Sequence, residues 1–183
     1  LNGRECLMTF ESLEDVPSLA PVVKAAQNFV DCIKAHRPAH GLILSGEFGC
    51  GKTHIACAIV NALVSHGIKA QFWPCFGILD DIKASFDHQE TVNPIEIISG
   101  VTVLVIDDIG SERISEDRRG DWAREQIFRI AYNRDIRNLP TIITTNLSRT
   151  EFKTRLGGAT TSRFLSACRW IEIKAPDYRL NRH

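Results

Sequence analysis

The sequence predicts an α/β fold: five parallel strands in one sheet, with helices on both faces and no separate lid domain. Three observations carry this. Short apolar runs alternate with helix-patterned segments along the chain. One run, residues 101–106, reads Val-Thr-Val-Leu-Val-Ile, β-branched and without alternation, as in a strand covered on both faces. Another, residues 41–45, leads directly into Gly46-Glu47-Phe48-Gly49-Cys50-Gly51-Lys52-Thr53 and then into a helical run. Strand, glycine loop and helix in that order is the setting in which G-x-x-x-x-G-K-T binds phosphate.

Taken in order, residues 9–14 read as a lead-in that packs Phe10 and Leu13 on the domain. Residues 21–35 carry Val22, Val23, Ala26, Phe29, Val30 and Ile33 at three- and four-residue steps, a helix, ended by His36-Arg37-Pro38. Residues 1–40 are thus a lead-in and helix packed on a core formed by 41–183. After the first strand, the helix 53–65 turns Ile55, Ala58, Ile59, Ala62 and Leu63 inward, with Gly67 placed to cap it. Residues 70–73 form a second strand closed by Pro74. Phe76, Leu79, Ile82 and Phe86 mark the next helix. Residues 87–93 read as a polar turn and 94–98 as a short helix. After the strand 101–106, residues 111–120 are charged and read as an exposed loop. Residues 121–138 form a long helix with Trp122, Ile127, Ile130 and Ala131 inward. Residues 141–145 are a strand. Ser148 with Glu151 is a capping box that starts the next helix, and Gly157-Gly158 breaks it. Residues 161–168 are a short helix and 170–173 the last strand.

Bulk properties exclude several classes. The chain has 183 residues with 22 Lys+Arg against 22 Asp+Glu, so net charge provides no basic footprint for nucleic acid, and any such surface is a local patch. No apolar run reaches the length of a membrane span, and Leu1–Glu5 carries no apolar signal stretch. Six scattered cysteines form no C-x-x-C pair, which argues against zinc and for a reducing, cytoplasmic setting. Cys50 stands apart from the others because it lies in the loop, where positive potential favours a thiolate, so peroxide sensitivity is expected there.

The loop fixes the chemistry. Its glycines let successive N–H groups form an anion nest, and the following helix aims its positive end at the same point. Gly46 to Thr53, with His54 beyond, are the expected ATP-binding residues. Lys52 is placed to reach the β- and γ-phosphates and Thr53 to ligate Mg²⁺. Asp107, closing the strand 101–106, would hold Mg²⁺ from across the loop, and Asp108 would orient or deprotonate an attacking water. Asn146 follows the strand 141–145, where it could hold that water. Arg163 is a candidate to reach a neighbour's γ-phosphate; Arg149 and Arg155 compete with it, and a plain solvated arginine is the alternative. Arg179 is a candidate for contacting phosphate in its own chain.

These motifs together, with Asp-Asp-Ile-Gly at 107–110, Thr-Thr-Asn at 144–146, Ser-Arg-Phe at 162–164 and Asp-Tyr-Arg at 177–179, resemble the AAA+ ATPases, and more narrowly the DnaC/DnaI-type replicative helicase loaders. The resemblance covers nearly the whole chain. It implies Walker A at 46–53, Walker B at Asp107 and Asp108, sensor 1 at Asn146, an arginine finger at Arg163 and sensor 2 at Arg179. It also implies self-association through the ATP site, a hexameric helicase partner and single-stranded DNA, the last near Phe76, Lys83 and Phe86. The chain departs from the family in having Asp108 where many members have Glu, and an uncharged 157–160 before the finger. About 40 residues precede the loop, too few for the N-terminal helicase-binding domain of such loaders.

The leading expectation is an ATP-driven helicase loader. An IstB-like transposition helper, suggested by Tyr178-Arg179-Leu180, is the alternative. A small-molecule kinase using Arg113, Arg118 and Arg119 as a lid, and a non-hydrolysing ATP switch, are further readings.

Overall fold

The computed structural model describes residues 3–14, 16–87, 94–111 and 118–178. Five strands form one parallel sheet: β1 Gly41–Gly46, β2 Ala70–Pro74, β3 Val103–Asp107, β4 Thr141–Thr145 and β5 Cys168–Ile173, in the order β2-β3-β4-β1-β5. Among the described residues seven α-helices connect and flank them: α1 Ala20–Lys34, α2 Lys52–Val64, α3 Cys75–Asp87, α4 Pro94–Gly100, α5 Arg118–Asp135, α6 Arg149–Leu156 and α7 Gly158–Ala167. A 3₁₀ turn, Gly3–Leu7, precedes them.

The strand order dictates which face each helix covers. From β1 the chain crosses leftward over β4 and β3 to reach β2; every later crossover runs rightward. With right-handed crossovers, α2 must lie on one face and the later helices on the other. The core divides accordingly. Leu42, Leu44, Val103, Val105 and Ile142 pack against α1 and α2. Their strand neighbours Ile43, Leu104, Ile106 and Ile143 pack against α3 to α7. Period-two alternation therefore feeds two apolar cores, which is why these strands read as continuous apolar runs. Each fully buried Ile or Leu contributes about 1.5–3 kcal/mol.

Local endings follow from sequence. Gly67 sits at φ +75°; its N–H donates to Val64 O and that of Ile68 to Leu63 O, the paired bonds of a Schellman ending for α2. At α6 the expected capping box is present: Glu151 N–H donates to Ser148 Oγ at 3.3 Å, and Ser148 N–H to Glu151 Oε2 at 2.8 Å. Phe10 and Leu13 pack against the α1/α2 core as expected.

Several boundaries differ. Helix α5 begins at Arg118, inside the stretch read as loop, and ends at Asp135. Apolar spacing cannot register a first turn that carries no apolar residue, and Asn138, at φ +52°, lies past the other end. Phe76 is 61% exposed; Cys75, Ile78, Leu79 and Ile82 carry the inner face of α3 instead. Strand β3 begins at Val103, since Thr102 is exposed. Helix α7 begins at Gly158 and Cys168 already belongs to β5. The polar turn at 88–93, the Phe86 side chain, Arg113, and the Arg118 and Arg119 side chains lie outside what is described.

Candidate nucleotide site

The site lies at the carboxyl ends of β1, β3 and β4, where ligands of open α/β sheets bind. Strand β1 ends at Gly46, and Gly51, at φ +95°, turns the chain into α2. Gly49, at φ +72°, has no room for a side chain, because a Cβ would overlap the Asp177 carboxylate. Tyr178 N–H donates to Gly49 O at 3.2 Å. The loop is thus braced from behind by the segment after β5, and glycine is required at 49 on both counts.

Lys52 is 7% exposed and its Nζ donates to Gly46 O and Glu47 O, both at 2.7 Å. The ammonium is folded back over the mouth of its own loop, in reach of whatever anion the nest holds. Cys50 is buried, with its thiol in the α1/α2 core, so at this position the loop presents main chain only. That burial removes the thiol from solvent and speaks against the expected peroxide sensitivity. Glu47 and Phe48 are exposed.

Opposite the loop, the end of β3 delivers Asp107. Its Oδ1 accepts from Thr144 Oγ1 at 2.6 Å and from Thr53 Oγ1 at 3.1 Å. Burial pushes its carboxyl above the usual carboxylate range, against which the Thr144 and Thr53 hydroxyls act in the other direction. Asp108 follows with φ +60°, an unusual value for a non-glycine residue. The bond from Asp108 N–H to Thr144 Oγ1, 2.8 Å, holds that conformation. Asn146 Nδ2 donates to Asp108 Oδ1 at 2.9 Å, while its buried Oδ1 has no hydrogen-bond partner.

Lys52, Thr53, Asp107, Asp108, Thr144 and Asn146 therefore line one cleft of about 650 Å³. The oxygen pair Thr53–Asp107 fits a hard divalent cation that keeps most of its waters, as Mg²⁺ does beside phosphates; among the described residues no cluster of three or more His, Cys, Asp or Glu side chains offers a protein-only metal cage.

Sequence reasoning missed part of the site. Thr144 enters the sequence reading only as part of Thr-Thr-Asn, yet it anchors both acids; a hydroxyl near the end of an apolar strand is the available signal. Met8, Ser12, Leu13, Glu14, Leu19 and Tyr178 also line the cleft. His54 lines it too, but its Nε2 is engaged with Thr9 O at 3.0 Å and Ser12 Oγ at 3.1 Å. Arg163 does not line the cleft. It pairs with Asp135, at the end of α5 that leads into the start of β4, and so lies toward the amino ends of the strands, away from the cleft. Arg155, on α6, instead donates to Gly110 O at 3.0 Å, on the loop side. Arg179 lies outside the described residues.

The sequence profile of IstB-like ATP binding proteins matches residues 24–183. The chain belongs to that family. The chain's relatives include replicative helicase loaders and an insertion-sequence ATP-binding protein. The replicative helicase loader DnaI of Bacillus subtilis (strain 168) is 26% identical over 147 residues, 79% of this chain and 46% of that one. The Insertion sequence IS1162 putative ATP-binding protein of Pseudomonas fluorescens is 29% identical over 132 residues, 72% of this chain and 53% of that one. The chain spans about half the length of these curated relatives. Among solved structures, the DnaC helicase loader superposes with a TM-score of 0.82 at 27% identity, over 94% of this chain and 100% of that one. The fold is that of the AAA+ ATPases, and the relation to DnaC/DnaI loaders expected from the motifs holds.

Proposed function

We propose that the chain is an ATP-hydrolysing helicase loader that helps place a hexameric replicative helicase on single-stranded DNA. The observation that carries the chemistry is the bond between Asn146 and Asp108 across from Lys52 and Thr53 in one cleft. Lys52 would leave Gly46 O and Glu47 O to meet the β- and γ-phosphates. Thr53 and Asp107 would hold Mg²⁺, which supplies charge neutralisation on the phosphates. Asp108, oriented by Asn146, would take the proton of the attacking water, and the unpartnered Asn146 Oδ1 would accept that water's other hydrogen. Arg163 of a neighbouring copy would complete the far side of the γ-phosphate, and Arg179 its own side.

The partner assignment rests on the likeness to the loaders. On this reading the chain works in the cytoplasm, and no helix among the described residues is long and apolar enough to cross a membrane. DNA contact is assigned to α3, where Phe76 is exposed and Lys83 lies over the Trp122 ring at 5.2 Å.

The family profile and the insertion-sequence relative favour a second reading, a transposition helper that binds duplex DNA. One experiment separates the two: capture of a replicative helicase with ATP, with ADP and with Lys52→Ala, alongside duplex and single-strand binding. ATP-dependent helicase capture with single-strand preference supports the loader. Duplex preference with no helicase capture would replace it by the helper.

A further inference from the structure

The turn after β3 is held by side chains from three places. Asp108 and Gly110 both take left-handed backbone, at φ +60° and +96°, so the chain folds back sharply as the strand ends. A turn with a non-glycine residue in that region keeps its shape only where its surroundings fix it. Here each of the three carbonyls from 108 to 110 accepts from a side chain. Ser111 Oγ donates to Asp108 O at 2.8 Å. Thr145 Oγ1, buried at the end of β4, donates to Ile109 O at 2.7 Å. Arg155 Nη2, from the last turn of α6, donates to Gly110 O at 3.0 Å.

The first two anchors belong to the turn itself and to the sheet. The third comes from outside both, and it is fixed in its own right. Arg155 O is one of the last four carbonyls of α6, which helix geometry leaves unpaired, and Arg124 Nε of α5 donates to it at 2.9 Å. A Cβ at position 110 would overlap the Leu147 side chain, so the turn packs directly on the chain that leaves β4. Gly110 thus meets both segments that follow β4, the 147 turn and α6. Arg155 does not line the cleft. Its guanidinium is spent on a neutral carbonyl two residues from Asp108, whose Oδ1 accepts from Asn146 at 2.9 Å.

We propose that Arg155 is a positioning residue for hydrolysis. By holding Gly110 O it keeps the left-handed turn that aims the Asp108 carboxylate at Asn146 and the attacking water. This rests on the reading of Asp108 as the general base and adds what holds that base in place. Arg155 acts here on the loop of its own chain, not on the site of a neighbouring copy.

Single-turnover hydrolysis and titration calorimetry with ATP and Mg²⁺ test this on the full chain, as a double-mutant cycle with Asp108. Arg155→Ala removes the guanidinium and leaves the main-chain carbonyl that Arg124 holds. It binds ATP at the parent Kd and hydrolyses it about ten- to a hundredfold more slowly, as expected when a catalytic group is displaced by up to about 1 Å. Arg155→Lys recovers most of that loss, since one N–H makes the bond. In the Asp108→Asn background Arg155→Ala costs about twofold or less, because no base is left to position. Losses that multiply instead would overturn the proposal, since Arg155 would then act on something other than Asp108. Unchanged turnover in Arg155→Ala would overturn it too. So would ATP binding weakened as much as turnover, the mark of a residue that only supports the fold. Recovery of turnover on mixing Arg155→Ala with Asp108→Asn would place the guanidinium in the neighbour's site and overturn the action within one chain. These four outcomes leave the nucleotide reading standing. A parent that does not hydrolyse ATP, or an Asp108→Asn variant with full turnover, would overturn the reading of Asp108 and this inference with it.

Discussion

Arg163 Nη1 lies 2.7 Å from Asp135 Oδ2, and its guanidinium stands 4.7 Å from the centre of the Tyr132 ring. Both partners of the pair are about one-third exposed, so the ion pair and the ring contact together are worth roughly 1–2 kcal/mol. An arginine that stabilises a phosphoryl-transfer transition state is worth about 10³–10⁵ in rate, or roughly 4–7 kcal/mol. A neighbour's γ-phosphate would therefore outcompete Asp135. Arg163→Ala is expected to bind ATP as the parent does and to lose the rise of specific turnover with protein concentration. Asp135→Asn should keep that rise. Turnover of Arg163→Ala that still climbs with concentration would move the role to Arg155, which already lies on the loop side.

Lys52 sets the second expectation. In this structure its ammonium donates to two loop carbonyls, Gly46 O and Glu47 O, and to Cys50 Sγ at 3.8 Å, so its partners all lie within the loop itself. Lys52→Ala should fold and lose nucleotide binding. Saturation of the parent at about 100 times Kd stabilises it by about 2.7 kcal/mol, a Tm rise of a few degrees at this chain length. The variant should show no rise with ATP, read by calorimetry or dye melting.

Asp108 and Asn146 act as a pair. Asp108→Asn should retain ATP binding and lose turnover by about 10²–10⁴, the usual worth of a general base. Asn146→Ala should lower turnover less, because Asp108 keeps its backbone bond to Thr144. Single-turnover hydrolysis measures both. Equal turnover in Asp108→Asn and the parent would take the base role from Asp108, and a parent with no turnover would be an ATP-binding switch.

The legibility of the sequence follows the range of the interactions. The strands and the phosphate loop were readable because apolar runs and glycine placement are local. So were the capping box at Ser148 and the Schellman ending at Gly67. The acids were readable because they stop an apolar strand. The restraint on Arg163 was not, since Asp135 and Tyr132 are 28 and 31 positions away in sequence, and nothing in 161–168 signals them. Nor was the tie between the lead-in and α2, since His54 meets Thr9 across 45 positions. The spacing of Phe76, Leu79 and Ile82 marks α3 but does not separate its inner face, which takes Cys75 and leaves Phe76 exposed, because helical spacing fixes a stripe only to within a neighbour.

Arg134 shows the same limit within α5. It is 1% exposed and has no carboxylate partner among the described residues; its guanidinium donates to Thr141 Oγ1 at 2.8 Å, Val101 O at 2.9 Å and Pro140 O at 2.6 Å. Burial lowers its pKa to about 10, still charged at neutral pH. It ties the entries of β3 and β4 together at the edge away from the cleft. Arg134→Met leaves several buried carbonyls unpaired and should cost about 3–5 kcal/mol by urea unfolding. Arg134→Lys should recover little, because one ammonium cannot span the fork of acceptors.

Asp107 links function to stability with a definite sign. Its carboxyl is held above the usual range, chiefly by burial. Between the unfolded value and the raised folded value, the folded state holds more proton than the unfolded state. Unfolding free energy therefore falls as pH rises through that window, and at neutral pH the ionised carboxylate is a net cost to the nucleotide-free protein. Asp107→Asn removes the charge while an amide oxygen can still accept from Thr53 and Thr144. The variant should melt higher than the parent at pH 7 without nucleotide, and the gap should narrow as pH is lowered toward the ordinary carboxylate range. It should also lose Mg²⁺-dependent ATP binding, since the neutral oxygen is a poorer ligand for a hard cation. A variant that melts lower than the parent at pH 7 would mean that the hydrogen bonds to the charged form outweigh its burial, and the sign assigned to Asp107 would be reversed.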